Sequence, residues 1–249
     1  MSKNYKGISI NTSKNTHEVV FEQINRSTES HVVDIPCGAG AFTYRLKDNG
    51  YKNITAIDIE NILKISHENF AVGDMTKTLP LENNSVDTFV CIDGIEHIHK
   101  QFDFIKEANR VLKTGGELIV STPNISSLRS RWKWLITGHH NKCNTPLDEN
   151  NPSPLHHIAM LSFPEIRYML HRNGFKIETV STNRVKPVSW IYSILVPFTY
   201  LVTSWAYYKA GKKEKTSLIN KEVKKIMFSK NVLFGETLIV KGIKKSVTD

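Results

Sequence analysis

Val32-Val33-Asp34-Ile35-Pro36-Cys37-Gly38-Ala39-Gly40 decides the fold class: an apolar run ends in an acid, a Gly-x-Gly turn follows, and Ala41–Asp48 then reads as a helix. Glycines at such a turn let backbone approach a ligand where a side chain would clash. The third glycine of the dinucleotide fingerprint is missing, because Thr43 stands in its place. That weighs against an NAD-dependent oxidoreductase, whose helix packs close to the pyrophosphate turn through that glycine.

Outward from this unit, Asn53–Asp58, Phe70–Asp74, Ser85–Ile92, Glu117–Ser121, Phe175–Val180 and Val232–Gly242 read as further strands. Gln101–Lys113 places Phe102, Ile105, Ala108, Val111 and Leu112 on one helical face. Ser162-Phe163-Pro164-Glu165 is a capping box that opens a helix running to Asn173. The alternation predicts an α/β fold, a mostly parallel sheet with helices on both faces. Such sheets bind ligands at the carboxyl ends of their strands. Three acidic signals fall there: Asp58, suited to ribose hydroxyls; Asp74-Met75, suited to an adenine ring; and Asp93-Gly94-Ile95-Glu96-His97.

With those segments in order, the chain resembles the class I S-adenosylmethionine (SAM)-dependent methyltransferases over about Lys6 to Asn183 plus the last strand. The resemblance implies a Rossmann-like seven-stranded sheet with a reversed last strand. It also implies SAM contacts at Gly38, Ala39 and Gly40 (methionine part), Asp58 and Ile59 (ribose), and Asp74 and Met75 (adenine). Asp34 would order the glycine loop from behind, and Ile92 completes the cofactor set. Many members carry Gly at the position of Pro36, which is expected to stiffen the loop without harming binding.

Methyl transfer asks the protein for alignment, water exclusion and, with a hydroxyl acceptor, a base. His97 is the candidate base, since histidine titrates near neutral pH, and Glu96 and His157 are the other catalytic candidates. Asp93, Glu96 and His97 also share a helical face. A similar acid-x-x-Glu-His segment in ubiquinone-biosynthesis O-methyltransferases is associated with magnesium, but Asp93 reaches less far than Glu, so no resident metal is expected.

One methyltransferase domain, 1–249, is expected. It holds a SAM-binding core (25–123), a substrate-side insertion (124–157), an aromatic and basic insertion (184–229) and a last strand at 231–243. Both insertions follow strands on the SAM side and should overlie the acceptor. The first carries Arg129, Arg131, Lys133, Lys142, Trp132 and Trp134, a mixture suited to phosphate and sugar. The second holds Pro187–Tyr208, uncharged and bracketed by Lys186 and Lys209, with Lys212, Lys213 and Lys215 beyond. Pro197 and the need for the last strand to return to the sheet argue against a span. An in-plane membrane contact through 187–215 is expected, the alternatives being a lid or a dimer contact.

The net charge of +9 lies wholly in residues 184–249, which hold 13 Lys+Arg against 4 Asp+Glu. Three cysteines without a CxxC pair exclude a zinc cluster or disulfide framework, and the polar N-terminus lacks a signal-type apolar core. A cytoplasmic enzyme is expected, peripheral on the inner membrane face, with a saccharide or lipid-linked acceptor; a quinone-type acceptor and a non-catalytic SAM-binding adaptor are the alternatives. The resemblance points to surface-glycan pathways. No nucleic-acid partner is expected, since no Asn/Asp-Pro-Pro-Tyr/Phe tetrapeptide follows the fourth strand.

Overall fold

The computed structural model describes residues 4–143, 146–210 and 214–246. A small hairpin, β1 (Asn4–Tyr5) and β2 (Ile8–Ser9), leads to α1 (Thr16–Glu22). The core then runs β3 (Val32–Asp34), α2 (Ala41–Asp48), β4 (Ile54–Asp58), β5 (Phe70–Val72), β6 (Val86–Ile92), α3 (Gln101–Val111) and β7 (Leu112–Pro123). After it come α4 (Leu128–Thr137), α5 (Phe163–Arg172), β8 (Phe175–Thr182), α6 (Val196–Ala210), α7 (Glu214–Met227), α8 (Lys230–Phe234) and β9 (Thr237–Lys244).

The seven-stranded sheet has the order β5-β4-β3-β6-β7-β9-β8. Its central pairs are parallel, and β9 is antiparallel to both neighbours, so the expected reversed last strand is present. β3 is buried throughout, as a strand covered on both faces must be. One core lies under α3 and α5, where Phe104, Ile105, Val111, Phe163 and Ile166 close over Phe89 and Leu118. The other lies under α1 and α2, where Val20, Phe42 and Leu46 cover Val32, Ile54 and Val90. Strand order reverses at β3, with β4 on one side and β6 on the other, so a crevice opens there at the strands' carboxyl ends.

Two boundaries differ from the sequence reading. The α3 helix stops at Val111 rather than Lys113, because Leu112 is already extended and pairs with Val86. The last strand begins at Thr237, not at 231–232, because Ser229 Oγ accepts the Val232 N–H and caps the short helix α8. Asn124 Nδ2 donates to the carbonyls of Val232 (2.9 Å) and Gly235 (3.1 Å), satisfying helix-end groups that would otherwise be buried unpaired.

Lys241, in the middle of β9, is only 1% exposed and lies 3.0 Å from buried Glu117 on β7 and 2.9 Å from Glu178 on β8. Its buried ammonium shares Glu117 with Arg26, whose Nε lies 3.5 Å from the same carboxylate. Lys241→Ala should destabilise the chain by about 3–5 kcal/mol in urea unfolding, since it strands a buried charge. Lys241→Met combined with Glu117→Leu should recover most of that loss.

Candidate active site

The glycine loop is held from three sides. Beneath it, Thr43 Oγ1 donates to Asp34 Oδ2 at 2.6 Å, and burial pushes the Asp34 carboxyl up to about 7 despite that bond. Beside it, Asp58 at the end of β4 accepts the Gly38 N–H with one oxygen and its neighbour's Ile59 N–H with the other, both at 2.8 Å. Above the start of α2, the 59–69 connection crosses without a helix, and the Lys64 N–H donates to Ala39 O at 3.1 Å. Gly40 has φ +86°, and a Cβ there would sit 2.8 Å from Leu63 and 3.0 Å from Ile65, so only glycine fits. In front of Gly38, by contrast, a Cβ would meet nothing within 4 Å, leaving open space on the ligand side.

The other expected cofactor residues line the same rim. Asp58 is half-buried, with lone pairs beyond those given to the backbone, and Ile59 beside it is 58% exposed, an apolar flank facing outward. At the end of β5, Asp74 Oδ1 accepts from the Thr76 N–H and Oγ1, which together with Lys77 at 3.2 Å hold its carboxyl below the ordinary range. Met75 and Ile92 are buried, so they offer backbone or one edge of a side chain. This geometry fits SAM: two hydroxyls could reach Asp58, a purine could lie against Ile59, and an aminoacyl end could enter the space before Gly38.

Across the switch point, the loop after β6 packs on the glycine loop. A Cβ on Gly94 would overlap the Pro36 ring, so Pro36 and Gly94 fit each other. Asp93 has φ +44°, a conformation uncommon outside glycine, and is held there by Ser121 on β7. Ser121 Oγ donates to Asp93 Oδ1 at 2.6 Å and accepts the Asp93 N–H at 2.9 Å. Ser13 also donates its N–H to Asp93, while Asn183 Nδ2 donates to Lys14 O at 2.9 Å, so the N-terminal segment crosses this edge of the site.

A single 3-10 turn, Ile95–His97, carries the catalytic candidates. Glu96 is fully buried, its oxygens lack well-formed hydrogen bonds, and burial with the nearby Asp93 charge raises its pKa above the carboxylate range. His97 and His157 meet edge to face, with ring centroids 4.8 Å apart. Residues 156–159 are pinned onto this turn: Ala159 N–H donates to Glu96 O at 3.1 Å, and Gln101 Nε2 to Ala159 O at 2.6 Å. His97 Nδ1 lies 3.0 Å from His156 O. A carbonyl only accepts, so Nδ1 carries a proton, and in the neutral ring the lone pair is on Nε2. His157 is pushed down by burial and by His97, which favours its neutral form.

Glu96, His97 and His157 each bring one ligand-type atom within 4.8 Å of the others. The trio expected from the magnesium-type segment is different, because Asp93 is turned to Ser121. Two imidazoles and one carboxyl that favours its neutral form suit a hard, oxygen-seeking cation poorly, so magnesium does not fit here.

Beyond this turn, a cleft of about 250 Å³ is lined by Asn124, Arg129, Lys142, Lys186, Ser189 and Glu236 among others. Glu236 pairs with Arg184 (2.6 Å) and Lys186 (2.7 Å), which hold its carboxyl down at about 2, and Lys142 lies 3.6 Å away. The cations outnumber it, so the cleft is basic. A larger cleft, about 450 Å³ beside Gly174 and Lys244, lies at the opposite end of the sheet, where Lys244 Nζ reaches the carbonyl of Leu112 at the start of β7. It is far from the strand ends that carry the acids.

Comparison with known proteins bears on this geometry. A family model described as "Methyltransferase domain" matches residues 33–120. A probable SAM-dependent methyltransferase of Mycolicibacterium smegmatis is 30% identical over 174 residues, covering 65% of this chain and 58% of that relative's length. Residues 33–120 therefore carry a methyltransferase domain, and the chain is similar to SAM-dependent methyltransferases over 65% of its length. A demethylmenaquinone methyltransferase of Leptospira interrogans is 25% identical over 175 residues, covering 61% of this chain and 70% of that one. Among solved structures, a SAM-dependent methyltransferase from Thermotoga maritima superposes with a TM-score of 0.58 at 18% identity, covering 93% of this chain and 88% of that one. At that identity the likeness speaks for the fold and nothing finer.

Sequence reasoning reached the loop, the rim acids and the His97 turn. It missed Ser121, Asn124 and Glu236, whose polar side chains carry no periodic signal, and the Ser13 N–H, all of which become partners only when distant segments meet. Asp58→Ala should weaken SAM binding by about a hundredfold or more in calorimetry, from the loss of charge-assisted bonds. Asp34 also sets a pH dependence. Its folded pKa of about 7 lies above the ordinary value of 3.8, so its stability contribution is full below 3.8 and lost as pH rises through 7. Asp34→Asn should flatten that part of the decline in thermal unfolding scans.

Proposed function

We propose that this methyltransferase moves the methyl group of SAM to a hydroxyl of a polar or amphiphilic acceptor, a saccharide or a lipid-linked one. The observation that carries the reading is the His97 imidazole, locked by His156 O with Nε2 available as a base. SAM supplies an electrophilic methyl on a sulfonium sulfur. In this reading Asp58, Gly38 and Ile59 fix the ribose and amino-acid parts so that the methyl faces the His97 turn. His97 Nε2 takes the acceptor's hydroxyl proton as the new O–C bond forms and the S–C bond breaks. Buried Glu96 stays neutral beneath it and adds no competing negative charge, and His157 packs against the ring to keep its orientation.

The basic cleft supports the choice of acceptor. Lys142 lines it and also influences Asp93 and His157, so cleft and base adjoin. Arg129, Lys142 and Lys186 suit phosphate or the oxygens of a saccharide. A quinone precursor is the second reading, favoured by the Leptospira relative's name.

His97→Ala should lower kcat by about 10²–10⁴-fold while leaving SAM affinity within a few-fold. Unchanged turnover would place the base elsewhere. Radiolabelled-methyl SAM, incubated with enzyme and a lysate of source cells lacking it, should label material that Arg129→Ala and Lys186→Ala methylate with raised KM. Label in the organic phase marks a lipid-linked acceptor, and label in the aqueous phase a free saccharide. An aromatic quinone product would overturn the proposed acceptor.

A further inference from the structure

Helix α6 is built inside out. Its half-buried side, against α7, presents Thr199, Thr203, Ser204 and Tyr207, with Asn220 Nδ2 donating to Tyr207 O at 3.1 Å and Lys224 Nζ to Ser204 Oγ at 3.2 Å. Its outer side presents Phe198, Leu201, Val202 and Trp205, with Phe198 and Leu201 each 68% exposed. A helix packed on a water-soluble core shows the opposite arrangement. The 3-10 segment before it, Pro187–Leu195, continues the same surface with Ile191 and Ile194, the latter 81% exposed. From the first insertion, α4 packs beside that segment and adds exposed Trp134, Leu135 and Ile136. Two separate insertions therefore bring exposed apolar side chains onto adjoining elements, a concentration uncommon on a soluble monomer.

Pro187–Ala210 is long and apolar enough to cross a membrane, and its most apolar stretch is 6% buried. It cannot cross here. β8 before it and β9 after it pair in one sheet, and α7 folds back with Val223 buried in the core. The segment lies along the surface instead. Cations rim it: Lys209 Nζ sits 3.8 Å over the Trp205 ring, Lys224 4.7 Å over Tyr200, and Lys230 5.8 Å over Trp190. Lys212, Lys213 and the side chain of Lys215 lie outside the described residues.

We propose that the α4–α6 face is a monotopic docking surface for an anionic lipid bilayer, with its apolar ridge at acyl-chain depth and its lysines among the headgroups. The charge selects this occupant: a second copy would bring the same cationic rim into contact with itself, while anionic headgroups complement it. Tryptophan and tyrosine beside lysine is the pairing found at membrane interfaces. Ser189 and Lys186 line the acceptor cleft while Trp190 and Ile191 lie on the outer face, so a docked enzyme would open its cleft beside the headgroup layer. The docking does not depend on the proposed acceptor.

The test is sedimentation of the full chain with vesicles of phosphatidylcholine alone or mixed equally with phosphatidylglycerol. Wild type should bind the anionic vesicles and lose affinity as salt rises. Ile194→Ser with Leu201→Ser should weaken binding by about tenfold or more, with SAM affinity and thermal unfolding unchanged as the control for folding. No binding by wild type, or equal binding by the double variant, overturns the proposal. So does a stable dimer, seen by light scattering, that the double variant dissolves while wild type ignores vesicles.

Discussion

The Asp58 carboxylate, shared between the Gly38 and Ile59 N–H groups, joins the end of β4 to the glycine loop after β3. Much of the site follows from that bond pair. It fixes a loop whose next glycine has no room for a side chain under Leu63 and Ile65. It also sets the loop's far edge, where Pro36 meets Gly94 and so positions the turn after β6. The same carboxylate that organises the loop is the one proposed here for a ribose, so in this reading cofactor binding reuses an interaction the fold already needs. Backbone N–H groups and a half-buried acid can serve both ends because a carboxylate accepts more than two hydrogen bonds.

On the other side of the switch point, the chemistry rests on a turn of three residues that could not hold its shape alone. Asp93 is held in a left-handed conformation by Ser121, and the 156–159 strip is laid across the turn by three hydrogen bonds. The outcome is a histidine whose Nδ1 is tied to a backbone carbonyl, beside a buried carboxyl whose pKa burial raises. Strain of this kind gathers where a protein must position reacting groups. The basic cleft next to it is assembled from both insertions and closed by Glu236, so the proposed acceptor site and the proposed base have Lys142 between them.

The strands, the reversed β9 and the gathering of the glycine loop and the strand-end acids on one rim were legible because they follow period, glycine placement and acids at strand ends. Residues 230–234 were misread because VLF is as apolar as a strand, while the helix there depends on the Ser229 cap and on Asn124, more than a hundred residues away. The paired use of Asp93 was hidden for a similar reason. Helical spacing put it with Glu96 and His97, but a left-handed φ turned it to Ser121 and left His157 as the third member of the cluster. In 187–210 the apolar and polar stripes were readable, yet which of them faces the protein was decided only by α7, and it chose the hydroxyl side.

The central claim, that one carboxylate anchors both loop and cofactor while His97 faces the transferred methyl, is tested most directly by a crystal structure with S-adenosylhomocysteine. The account predicts ribose hydroxyls on Asp58, the purine against Ile59 near Asp74 and Met75, and the sulfur directed toward His97 Nε2. A ligand bound elsewhere, or seated on the rim with its sulfur turned away from His97, would contradict it.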